Sequence, residues 1–174
     1  MSIASSPQTV LTSLLYIIHE TTAKIEAEFA GAICVQATNN GPLVPIPSSY
    51  RMWYSLPGGK ALTIDVTQNT STGALSWNDQ TVYDQPIVGV GGNLMQCIVD
   101  IYPAYKAIRM AGFMDPVAFC GLFQAVVPGI YVPWYCFTPT NCSSTSSSSY
   151  IFVNSITAEV RFFPTGADMR PASF

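Results

Sequence analysis

Ala61-Leu62-Thr63-Ile64-Asp65-Val66-Thr67-Gln68 alternates apolar and polar side chains from Leu62 onward. A period of two belongs to a β-strand with one face on a core and the other toward solvent or a polar partner. The same kind of short run recurs on either side, at 33–37, 50–54, 75–77, 87–90, 94–101, 107–113, 119–127, 130–137 and 150–163. Between the runs stand breakers: Asn39-Asn40-Gly41-Pro42, Pro57-Gly58-Gly59, Gly91-Gly92, Asp115-Pro116, Pro128-Gly129 and the Ser/Thr tract 143–149. Thirteen prolines and twelve glycines spaced this way read as the turns of a sandwich or barrel. The stretch 119–137 is apolar on both faces, as a strand pair must be when it is central or pressed on a neighbouring subunit.

One segment breaks the pattern. Across 8–29, Val10, Leu11, Leu14, Leu15, Ile18, Ile25 and Phe29 recur at three- and four-residue steps, the period of an amphipathic helix. Pro7 suits a first turn, Ser5 or Ser6 can cap it, and Gly31 can end it. The fold class expected is therefore all-β, a jelly-roll-type sandwich with an N-terminal amphipathic helix. It forms a single domain over 1–174, with helix 8–29 and sandwich 32–174, and no internal repeat is visible in the sequence.

Half of the 174 residues (49%) are hydrophobic, yet only 10% carry charge, against about 25% in an ordinary soluble domain. Such a surface is either buried against other copies or dressed in uncharged polar residues. A net charge of −3 excludes the usual basic nucleic-acid binder, so nucleic acid is bound weakly at most. The mean hydropathy of +0.30 comes without an apolar run long enough to span a bilayer, which takes roughly 18 residues. The opening residues lack the basic and apolar regions of a signal peptide. The expectation is a virion or intracellular assembly.

Little in the sequence points to catalysis. His19 is the single histidine and has no nucleophile motif beside it, so a hydrolase is not expected. Asp79 and Asp84 flank Tyr83 in a polar stretch and read as a solvated loop. Gly89-Val90-Gly91-Gly92-Asn93 lacks the pattern of a phosphate loop and reads as a turn. Cys34, Cys97, Cys120 and Cys136 sit in apolar runs as buried thiols, while Cys136 and Cys142 could pair in an oxidising compartment. No CxxC and one histidine leave no metal site, and no cofactor is expected.

Adjacent aromatics on a strand point to opposite faces, so Trp53-Tyr54 and Trp134-Tyr135 each send one ring inward and one outward. Outward rings are enriched at protein contacts. Trp53, Tyr54, Tyr131, Trp134, Tyr135, Phe162 and Phe163 are accordingly the candidate core or interface residues of a homo-oligomer.

The closing third, a strand leading through a Ser/Thr-rich loop into Tyr150-Ile151-Phe152-Val153-Asn154-Ser155-Ile156-Thr157-Ala158-Glu159-Val160-Arg161-Phe162-Phe163-Pro164, resembles the closing hairpin of jelly-roll viral coat proteins. The low-charge, Pro- and Thr-rich composition is similar to that of tymovirus-like shells. The resemblance implies a self-assembling, non-enzymatic coat or shell subunit. It has no basic arm for a genome. A second resemblance is to actinoporin-like pore-forming proteins: helix 8–29, a first strand at Ile33, Gly89-Val90-Gly91 before a strand, then Phe113-Met114-Asp115-Pro116. That likeness would make the membrane a partner. Glu20, Glu26 and Glu28 against Lys24 alone on the helix argue for docking on the assembly instead.

Overall fold

Ser13 opens the first helix, α1 (Leu14–Glu28), its hydroxyl accepting the Tyr16 amide at 3.2 Å. The computed structural model of the chain describes residues 12–88, 92–124, 132–140 and 150–163. The expected start at residue 8, with Pro7 and the Ser5 or Ser6 cap, falls outside these residues, and the helix itself begins only after Ser13. Past its end, Gly31 turns the chain in the left-handed region (φ +87°), with Pro57 Cγ only 3.1 Å from where a Cβ would stand. A side chain here would be strained by the backbone and crowded by the neighbour.

Four antiparallel strands follow: β1 (Ile33–Asn39), β2 (Ser49–Leu56), β3 (Lys60–Gln68) and β4 (Leu75–Tyr83). A 3-10 turn (Leu94–Gln96) leads to a second helix, α2 (Ile101–Met110), and to four more strands: β5 (Val117–Gln124), β6 (Pro133–Pro139), β7 (Tyr150–Asn154) and β8 (Val160–Phe163). All eight strands lie in one antiparallel sheet ordered β4-β3-β2-β1-β5-β6-β7-β8. The chain is thus mostly β, with an N-terminal helix. A helix followed by a four-strand meander occurs twice, and the halves meet at the β1–β5 ladder, centred on Ala37↔Leu122. Each central strand carries a bulge two positions before that pair, at Val35 in β1 and Cys120 in β5. The sequence shows no repeat, but the order of elements does.

One face of the sheet carries the main core. Leu14, Ile17, Ile18 and Ile25 of α1 and Ile101, Ala104 and Ile108 of α2 are fully buried there, over Tyr50, Met52, Tyr54, Leu62, Val66, Phe119, Tyr135 and Phe137. Burying each large apolar side chain contributes about 1.5–3 kcal/mol. The opposite face of β5, β6 and β7 holds a second buried cluster of Phe123, Trp134, Cys136 and Phe152.

Several sequence expectations are corrected. The runs 94–101 and 107–113 are not strands: the first holds the 3-10 turn and the second is mostly the end of α2. Ile101, Ala104 and Ile108 follow a helical period, and Pro103, in the first helical turn, costs no hydrogen bond. The long final strand is a hairpin. Asn154 Oδ1 accepts the amides of Ile156 (2.8 Å) and Thr157 (3.1 Å), and Ala158 adopts φ 64°, so the chain reverses between β7 and β8. The apolar face of helix α1 is buried on its own sheet. The two helices cover the main-core face of the sheet.

Both helices begin at one carboxylate. Asp100 Oδ1 accepts the amides of Leu14 (2.9 Å) and Leu15 (3.2 Å) from α1 and of Ile101 (2.7 Å) from α2, while Ser13 Oγ donates to Oδ2. A single cap is worth ~1 kcal/mol, and a carboxylate near a helix N-terminus adds a dipole term. Asp100→Ala should therefore lower unfolding stability by about 2–3 kcal/mol, read from urea midpoints, with both caps lost together. A loss no greater than that of an ordinary surface substitution would contradict the double-cap role.

Candidate interaction surface

Among the described residues, no group of three or more His, Cys, Asp or Glu side chains is arranged to hold a metal ion, and no helix is long and apolar enough to cross a membrane. His19 is exposed on α1. The acidic pair expected in a loop is split. Asp79 lies within β4 and lines a shallow cleft with Lys24, Ile64, Trp77, Asn78 and Gln80, whereas Asp84 faces Lys60 at 3.6 Å. In that cleft the Lys24 ammonium sits 5.4 Å from the centre of the Trp77 ring, and Trp77 Nε1 donates to Thr21 Oγ1 at 3.0 Å. These contacts tie β4 to α1.

The candidate aromatics scatter. Tyr54 and Tyr135 are fully buried on the helix face; the Tyr54 hydroxyl is 3.0 Å from Thr22 Oγ1, and Tyr135 donates to Val99 O at 2.6 Å. Trp53 is half-buried on the other face, its Nε1 3.4 Å from Thr38 Oγ1. Trp134 also points to that face, as alternation requires, yet it is fully buried in the second cluster with the Arg161 guanidinium 5.6 Å from its ring. Its orientation is as expected, but it is not an exposed contact ring. Phe163 pairs with Tyr150 through the backbone; its side chain, and the whole of Tyr131, lie outside the described residues. Among the described members of the set, Phe162 is the strongly exposed one (51%).

Phe162 leads to a surface that the sequence reading missed. Its ring lies 6.0 Å from Phe113, just past the end of α2. Met110 (85% exposed) and Met114 (73%) stand at the C-terminal end of that helix, and Ile98 (70%) precedes its N-terminus. Arg109 fixes the segment: its guanidinium reaches the Tyr105 hydroxyl at 3.0 and 3.1 Å and the carbonyls of Phe113 (3.0 Å) and Asp115 (2.6 Å). Held this way, Met114 is carried on an ordered turn. Reading 107–113 as a strand hid this surface; Ile101, Ala104 and Ile108 facing inward, with Tyr102, Lys106 and Met110 outward, was the available signal.

No protein-family model, curated protein or solved structure matches this chain.

The interior holds thiols with perturbed acidity. Burial pushes Cys34 up to about 12 and Cys97 to about 11, from 9.0. Unfolded, both lose their protons near pH 9; folded, they hold them until pH 11–12. The unfolded state therefore binds fewer protons in that window, so stability present below pH 9 is lost as pH rises through 11–12. Urea midpoints should fall steadily from pH 9 upward, and Cys34→Ala with Cys97→Ala should flatten that fall. An unchanged slope in the double variant would show that other groups, such as the buried tyrosines, carry it.

Proposed function

We propose that this chain is a self-assembling structural subunit, of the coat or shell kind, whose native state is a large homo-oligomer. The observation that carries the reading is the set of exposed apolar side chains Ile98, Met110, Met114 and Phe162 near the two ends of α2, on a chain with 10% charged residues. Methionine and aromatic side chains suit such contacts because they pack large areas adaptably. One standard contact covers about 800 Å² per partner. Closed symmetry would repeat the contact on every copy. The reading asks for no enzymatic chemistry and no cofactor.

In its finer form the coat reading implies a jelly-roll-type sandwich. The proposal leans on the exposed apolar side chains near α2 and on the edge strand β8. Weak nucleic-acid binding fits the way the basic groups are used. Arg51 pairs with Asp65 (2.8 Å), Lys60 with Asp84 (3.6 Å) and Arg161 with Glu159 (2.9 Å). The pore-forming alternative gains no support from α1, whose apolar face is already buried on its own sheet.

Light scattering and negative-stain microscopy of freshly purified protein should show particles or high-order oligomers. Met110→Glu with Ile98→Glu should shift the population to monomer while leaving the circular dichroism unchanged. A wild-type protein that stays monodisperse at 18.8 kDa at high concentration would refute the proposal. Dye release from anionic or sphingomyelin vesicles would favour the pore-forming reading instead.

A further inference from the structure

The outer face of the sheet brings two thiols together beside the central ladder. In the ladder to β6, Phe119 pairs with Phe137 and Gly121 with Cys136, so Cys120 is the extra residue of the β5 bulge. Cys136 is buried among Phe123, Trp134 and Phe152, and Cys120 packs at the margin of the same cluster with part of its surface open to solvent. Cys120 Sγ lies 3.6 Å from Thr138 Oγ1 and 3.9 Å from the Ala118 carbonyl, and the two thiols are near enough that each shifts the acidity of the other. A bulged residue stands off the ladder, so its side chain can shift without costing an inter-strand hydrogen bond. The other two thiols described, Cys34 and Cys97, belong to the main core on the opposite face.

We propose that Cys120 and Cys136 are a redox pair that closes to a cross-strand disulfide by exchange with a small disulfide of the glutathione class. Cys120 attacks as thiolate. It forms a bond to one sulfur of the small disulfide, whose S–S bond breaks; the departing thiolate takes a proton from water. Cys136 then gives its proton to solvent and attacks Cys120 Sγ, expelling the second small thiol. Two protein thiols are oxidised and one disulfide is reduced to two thiols, which balances the exchange.

The division of labour follows from position. Cys120 is the more accessible sulfur, and its neighbours Cys136 and Thr138 bring its pKa down to about 7, so a substantial share is thiolate at neutral pH. Cys136 is held up by its neighbour Cys120 and by burial, which suits a resolving thiol that reacts only with that neighbour. Closure would tie β5 to β6 covalently next to the seam between the two halves of the sheet. It constrains the unfolded chain and raises resistance to urea.

The test uses the full folded chain incubated with oxidised glutathione, quenched by alkylation and mapped by peptide mass. Wild type should lose two titratable thiols, yield a Cys120–Cys136 linked peptide and show a higher urea midpoint. Cys136→Ala should instead accumulate glutathione on Cys120, an adduct that wild type does not retain. Cys120→Ala should abolish both products. An unchanged wild-type thiol count, or a link between Cys136 and Cys142, overturns the proposal. So does a folded Cys136→Ala variant that traps no adduct. If Cys136→Ala does not fold, the wild-type map alone decides.

Discussion

The shared carboxylate of Asp100 is the constraint on which the arrangement of the two helices depends. Two helix N-termini brought together set the positive ends of two dipoles against each other, an unfavourable contact in a partly buried site. The carboxylate accepts amides from both and turns that repulsion into attraction. Tyr135, in β6, reaches up to the carbonyl of Val99, the residue next to Asp100. The helices are thereby fixed to the sheet at the same place where they are fixed to each other. Their apolar faces then cover most of one side of an eight-stranded sheet, something neither helix is long enough to do alone.

How much of this was legible depends on the range of the interaction. The alternation of 61–68 and the Pro/Gly breaks mark strands locally, and β2, β3, β5 and β6 fall close to where those signals put them. The body of α1 was legible for the same reason: its apolar period is visible within the segment. The helix α2 was not. Ten residues containing Pro103 offer too short a period to outweigh the β-branched neighbours, and the cap that starts it is also engaged with residues 85–87 positions away. The reversal at Asn154 was missed because an apolar run on both sides of it imitates one long strand. Nor does the sequence reveal that Trp134, which points away from the helices, is buried all the same. That depends on which side chains from three strands meet on the far face.

The charge deficit has an origin inside the chain. Part of the apolar excess is absorbed internally, since β5, β6 and β7 are buried on both faces and need hydrophobic residues at nearly every position. Three of the basic groups are spent on carboxylates within the chain. Part of what remains unabsorbed stands near the two ends of α2. The other flank of the sheet is managed differently. Strand β4 has solvent-facing residues such as Asn78, Asp79, Gln80 and Thr81, and Asp79 takes a positive φ (53°). A kinked, polar edge discourages indiscriminate strand addition.

The seam between the halves has a consequence for how the molecule is made. Within each half, neighbouring strands are joined by short connections, so their pairing is local and fast. The halves join through Gln36↔Phe123, Ala37↔Leu122 and Thr38↔Gly121, far fewer pairs than link β2 to β3. Closing that seam brings together residues more than eighty positions apart, which places it late in folding. Until it closes, each meander presents an unfilled central edge that fits the complementary half of any other copy. Refolding at high concentration therefore sets intramolecular closure against exchange of halves between chains, and dilution is what selects the closed monomer fold.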